Sequence, residues 1–169
     1  MFRNTQATAS RPTGMETTRH FVATVYVVND GAIALHEHER LGMWLPPGGH
    51  IDRDELPHEA ATREVREEIG QRVDLVAPID DLDSPTASSI PKPQHLLLED
   101  INVHDGAVGH QHIDFVYYGR VASQEIDPAP GETSADAWQW FDTGDLRESQ
   151  SMLESDVVDA GIRAIETVE

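Results

Sequence analysis

Cysteine is absent from the 169 residues, which excludes disulfides, zinc–thiolate sites and cysteine nucleophiles. Lysine is nearly absent: Lys92 stands alone, and the other basic residues are arginines. Lysine and arginine number 12 against 31 acidic residues, a formal charge of −19. Such a chain repels itself in dilute buffer, and salt near molar strength, with a Debye length of about 3 Å, screens the repulsion. Adaptation to high salt is the expected reason. The same charge argues against general nucleic-acid binding, which wants a basic surface. No apolar run approaches membrane-spanning length. The polar first residues lack the apolar segment of a signal peptide, so a cytoplasmic protein is expected.

What is present reads as one globular domain, with 38% hydrophobic and 25% charged residues. Residues 1–18 are polar and aperiodic, and are expected to be a mobile leader to a domain over 19–169. Strands are expected at 20–28 and 32–36 around an Asn29-Asp30-Gly31 turn. Met43-Trp44-Leu45 leads into Pro46-Pro47-Gly48-Gly49, read as a loop. Residues 56–69 have helical composition, with Asp54 as expected N-cap, Pro57 in the first turn and Gly70 as C-cap. Further strands are expected at 72–77, 94–103, 112–121 and 138–141, and a helix at 153–168. The polar stretch 80–93 is long enough for substrate contact. Strands interleaved with two helices predict an α/β fold: a mixed sheet with helices on its faces.

The helix over 56–69 carries Glu64, Glu67 and Glu68 within an arc of about 100°, while Val65 and Ile69 point elsewhere and can anchor it to the sheet. Like charges at these spacings oppose a helix by about 0.2–0.5 kcal/mol per pair. They also oppose the negative end of its dipole. A solvated acidic face is one reading of such a run. A bound divalent cation is the other. Oxygen donors without cysteine suit Mg²⁺ or Mn²⁺.

The residues around the helix carry a resemblance. Gly49, Glu55, Arg63-Glu64-Val65, Glu67-Glu68 and Gly70 resemble the Nudix box, with Gln71 where the pattern has an aliphatic. The resemblance implies a Nudix α/β/α sandwich. It implies that Glu64, Glu67, Glu68 and the Gly48 carbonyl hold divalent metal, and that Glu55 and Arg63 form an ion pair orienting Glu64. It also implies a pyrophosphohydrolase: metals neutralise phosphate oxygens, activated water attacks phosphorus, and a carboxylate takes the proton. Glu64 is one candidate for that proton, and Glu99, Glu125 and Glu132 are others. Glu132, in a Pro-Gly-Glu turn, is the preferred addition.

Substrate choice lies outside the box. The expected substrate is a small nucleotide, either a nucleoside diphosphate linked to another moiety, ADP-ribose-like, or a nucleoside triphosphate. Pro85 lies near the region where ADP-ribose pyrophosphatases of the family carry a proline. The isomerase branch needs a cysteine and is excluded. A non-catalytic nucleotide sensor is the rival, although sensors tend to lose box carboxylates and this chain keeps them. No membrane partner is expected, and a homodimer is compatible with the reading. Trp44 reads as core or as a base-stacking group, and His50, His110 and His112 as loop histidines, with His50 a candidate for phosphate or metal. Of Tyr117 and Tyr118, alternation sends one to the core.

Overall fold

The structure is a computed structural model describing residues 17–38 and 41–169. The expected leader lies almost wholly outside those residues, and Thr18, its last residue, already opens a strand.

Strand β1 (Thr18–Asn29) turns into β2 (Ala32–His38) through Asp30 and Gly31, at φ 50° and 70°. Two left-handed residues suit the twist of a tight hairpin and set Asn29 opposite Ala32. β3 (Met43–Leu45) pairs with β2. β4 (Gly48–His50) pairs antiparallel with β1, so part of the expected glycine loop is strand. Helix α1 (Pro57–Ile69) follows, then β5 (Asp74–Leu75), shorter than expected. β6 (His95–His104) and β7 (Ala107–Arg120) form a long hairpin. Its turn is only Asp105-Gly106, at φ 50° and 76°, so the loop expected before residue 112 is strand. β7 runs parallel to β1. β8 (Trp138–Asp142) pairs with β2 and leads into a short helix not expected from sequence, α2 (Thr143–Glu148). α3 (Ser155–Val168) closes the chain, starting later than expected, with Leu153 buried before it.

The result is a mixed eight-stranded sheet between α1 on one face and α2 with α3 on the other. Alternation along β1 sorts its side chains between the faces. Ala23, Val25 and Val27 pack with Ala60, Ala61, Val65 and Ile69 of α1. Tyr26 and Val28 pack with Val157, Val158 and Ile165 of α3. Each buried valine or isoleucine is worth roughly 1.5–3 kcal/mol, so β1 anchors both layers. Both sheet faces being covered, Tyr117 and Tyr118 are both buried, on opposite sides. Trp44 lies edge-on to Phe141 at 5.4 Å, beside the α3-side core, which is the core reading.

Candidate metal centre and adjoining cleft

The N-cap of helix α1 is Leu56 rather than Asp54. Pro57 fills the first helical position, and the Glu59 carboxylate accepts the Leu56 N–H at 2.9 Å, half of a capping box. At the other end Gly70 turns left-handed at φ 80° and donates to the Arg66 carbonyl at 3.1 Å. Helix ends leave carbonyls without partners, and here a later segment takes them. The Asp127 N–H bonds the Ile69 carbonyl at 2.9 Å, and the Ala129 N–H bonds that of Glu67 at 2.7 Å. Gln71 reinforces this contact instead of packing as an aliphatic would. Its Nε2 donates to the Ser123 and Glu125 carbonyls at 2.9 and 2.6 Å, and its Oε1 accepts the Ser123 N–H at 3.1 Å.

The two glycines of β4 fit where no side chain would. A Cβ on Gly48 would lie 2.6 Å from the Ala23 carbonyl oxygen, and one on Gly49 would lie 2.6 Å from the Glu64 carboxyl carbon. The Gly48 N–H donates to Glu68 Oε2 at 3.0 Å, so β4 and the acidic face of α1 are in direct contact.

Arg63 organises the cluster. Its Nε and Nη2 grip both oxygens of Glu55 at 2.8 and 2.9 Å, while Nη1 donates to Glu64 Oε1 at 2.7 Å and Glu67 Oε2 at 3.0 Å. Nη2 also donates to the His50 carbonyl at 3.0 Å. The fork geometry of guanidinium permits this many partners, where an ammonium would not.

The four glutamates are not equally satisfied. Arg63's hydrogen bonds hold Glu55 below the usual carboxylate range. Burial pushes Glu64 up, against the pull of Arg63, and the charges of Glu67 and Glu132 add to the rise. Burial pushes Glu68 up to about 8, with Glu64, Glu132 and Glu67 adding and only the Gly48 amide opposing. Glu68 is thus a half-buried carboxylate held by a backbone amide. Its oxygens and those of its neighbours form a hard donor set suited to Mg²⁺ or Mn²⁺. Among the described residues no three ligating groups already converge on one ion position, and Arg63 Nη1 stands between Glu64 and Glu67.

Glu132 is near this cluster, since its charge acts on both Glu64 and Glu68. With Gly131, Thr133, Ser134 and Ala137 it lines a cleft against Glu37 and His38 of β2. The other carboxylates named from sequence are elsewhere. Glu125 is exposed, its carbonyl held by Gln71. Glu99, on β6, is pushed up by burial and by Asp156 of α3, and so belongs to the opposite face of the sheet. Pro85 sits in an exposed stretch. His50, His110 and His112 lie on strands, not in loops, and His20 joins them. Glu37 and His38 went unnoticed in the sequence because β2 meets the 131–137 segment only in the folded chain.

A family model described as NUDIX domain matches residues 18–159. Two curated proteins named RNA pyrophosphohydrolase are similar. That of Mesorhizobium japonicum is 32% identical over 107 residues, 62% of this chain and 59% of its own length. That of Rhizobium meliloti is 34% identical over 101 residues, 58% of each. The matched part therefore spans less than two thirds of those relatives. A NUDIX-family hydrolase structure from Clostridium perfringens is 33% identical with TM-score 0.79, covering 90% of this chain and 99% of that one. A MutT protein from Bacillus halodurans is 18% identical with TM-score 0.57, covering 86% and 82%, and shares the fold.

Proposed function

The chain belongs to the Nudix family, and from that premise we propose that it is a pyrophosphohydrolase that cleaves a phosphoanhydride bond with the help of a divalent cation. One observation carries this reading: Glu64, Glu67 and Glu68 share the face of α1 that meets β4, where the Gly48 N–H donates to Glu68 Oε2 at 3.0 Å, and half-burial pushes the Glu68 carboxyl up, which a dication would reverse. Glu64, Glu67, Glu68 and the Gly48 carbonyl would hold Mg²⁺ or Mn²⁺. The ion supplies positive charge against the phosphate oxygens and acidifies water.

The chain's own groups do the rest. Arg63 fixes Glu64 and Glu67 relative to Glu55 and to β4. Glu132, at the edge of the cleft, accepts the proton of the attacking water in this reading, and Glu64 is the alternative acceptor. The cleft between β2 and the 131–137 segment takes the substrate. That substrate is a nucleoside diphosphate linked to a second moiety, or a nucleoside triphosphate. The relatives' names point to RNA ends, but the charge of −19 weighs against an extended RNA backbone. We further propose a cytoplasmic protein adapted to salt. Exposed Phe21, Leu96 and Leu98 support a homodimer, which light scattering would test by mass.

A nucleotide panel assayed with Mg²⁺ or Mn²⁺ in molar KCl tests the activity, with a 5′-triphosphorylated RNA oligonucleotide included. Release of phosphate, pyrophosphate or a nucleoside monophosphate is expected from a small nucleotide. Saturable binding without turnover would make the protein a sensor instead.

A further inference from the structure

We propose that His20, His50, His110 and His112 form a second metal site, for a late first-row transition ion such as Cu²⁺ or Ni²⁺, distinct from the glutamate cluster. Three strands bring the rings together. His20 and His112 are partners in the parallel β1–β7 ladder. His110 lies two residues earlier on β7 and so on the same face. His50 comes from β4, on the other side of β1, opposite Val22.

The rings close a circuit. Their centres are 5.2 Å apart for His20–His50, 5.2 Å for His50–His112, 5.1 Å for His112–His110 and 4.6 Å for His110–His20. Neighbouring rings are inclined by 70–89°. An imidazole nitrogen binds such ions at about 2.0–2.1 Å, which puts the ring centre about 3.2 Å from the ion. Four rings on a square of this size have centres about 3.5 Å from its middle. On such a square the rings would have to turn their nitrogens inward, since among the described residues no three ligating groups already share an ion position. His20 Nδ1 and His50 Nε2 are already 3.3 Å apart, close to the spacing of adjacent ligands. A single hydrogen bond also explains that one pair, but not the closure of all four.

The surroundings suit ligation. The Thr18 hydroxyl bonds His110 Nδ1 at 2.8 Å, which orients that ring and leaves Nε2 free, a common arrangement behind metal-binding histidines. A nitrogen-only shell selects copper or nickel over magnesium, and a square one favours them over zinc. The two clusters thus divide metals by hardness.

The test is a Cu²⁺ titration of the metal-stripped, tag-free full chain, followed by paramagnetic resonance. One tightly bound ion with a four-nitrogen signature is expected. His112→Gln and His110→Gln, with unchanged circular dichroism, should each weaken binding by more than the roughly 100-fold typical of groups behind a metal ligand. Glu67→Gln should leave the copper signal as it is. Binding unaffected by either histidine change, or an oxygen-dominated spectrum, would overturn the proposal.

Discussion

Glu68 has a backbone amide beside it and lies deep enough that its charge is disfavoured. Replacing it tests whether that cost serves an ion. Glu68→Gln or Glu67→Gln is expected to lower turnover by more than the roughly 100-fold typical of groups behind a metal ligand, with circular dichroism unchanged. Near-normal turnover would remove the metal role. Asp114 makes a separate test on the opposite face. It is 3% exposed, and its Oδ1 has no hydrogen-bond partner among the described residues. Burial, with help from Glu99, pushes its carboxyl from 3.8 up to about 7. The folded state thus holds the proton more tightly than the unfolded chain. The stability tied to this group is complete below about pH 3.8 and is lost as pH rises through about 7. Asp114→Asn should flatten the fall in melting temperature between about pH 4 and 7, and an unchanged slope would count against the shift.

At the scale of elements, α1 and the segment after β7 behave as one unit. Its hydrogen bonds to Ile69, Glu67 and Gln71 carry Glu132 to the acidic face. Gln71→Ala removes three of these bonds. It should cost about 1 kcal/mol and speed amide exchange at Ser123. If exchange there does not change, Gln71 is not the clamp. The acidic face of α1 was legible in the sequence because its residues are close in the chain and their spacing fixes their direction. The Gln71 contact was not, because it depends on a residue fifty positions away. The β6–β7 turn was legible and missed: Asp105-Gly106 is the same dipeptide that correctly marked the first hairpin. The cleft wall at Glu37 and His38 left no sequence signal, because it joins β2 to a segment almost a hundred residues later. The histidine circuit was partly visible: His50, His110 and His112 were singled out as loop histidines, but the strand register that unites them with His20 was not.

For the whole molecule, the charge of −19 predicts a melting temperature that climbs from dilute buffer to molar KCl as repulsion is screened. A flat response would count against salt adaptation. One feature of the acidic cluster bears on stability in the other direction. Arg63 Nη1 lies between Glu64 and Glu67 and is covalently part of the chain, so chelators cannot extract it. Emptying the centre with EDTA should therefore silence the chemistry while the melting curve moves only slightly, whereas Arg63→Ala should make folding depend on added magnesium. The fold carries its own resident counter-charge, beside which the proposed ion would be a visitor.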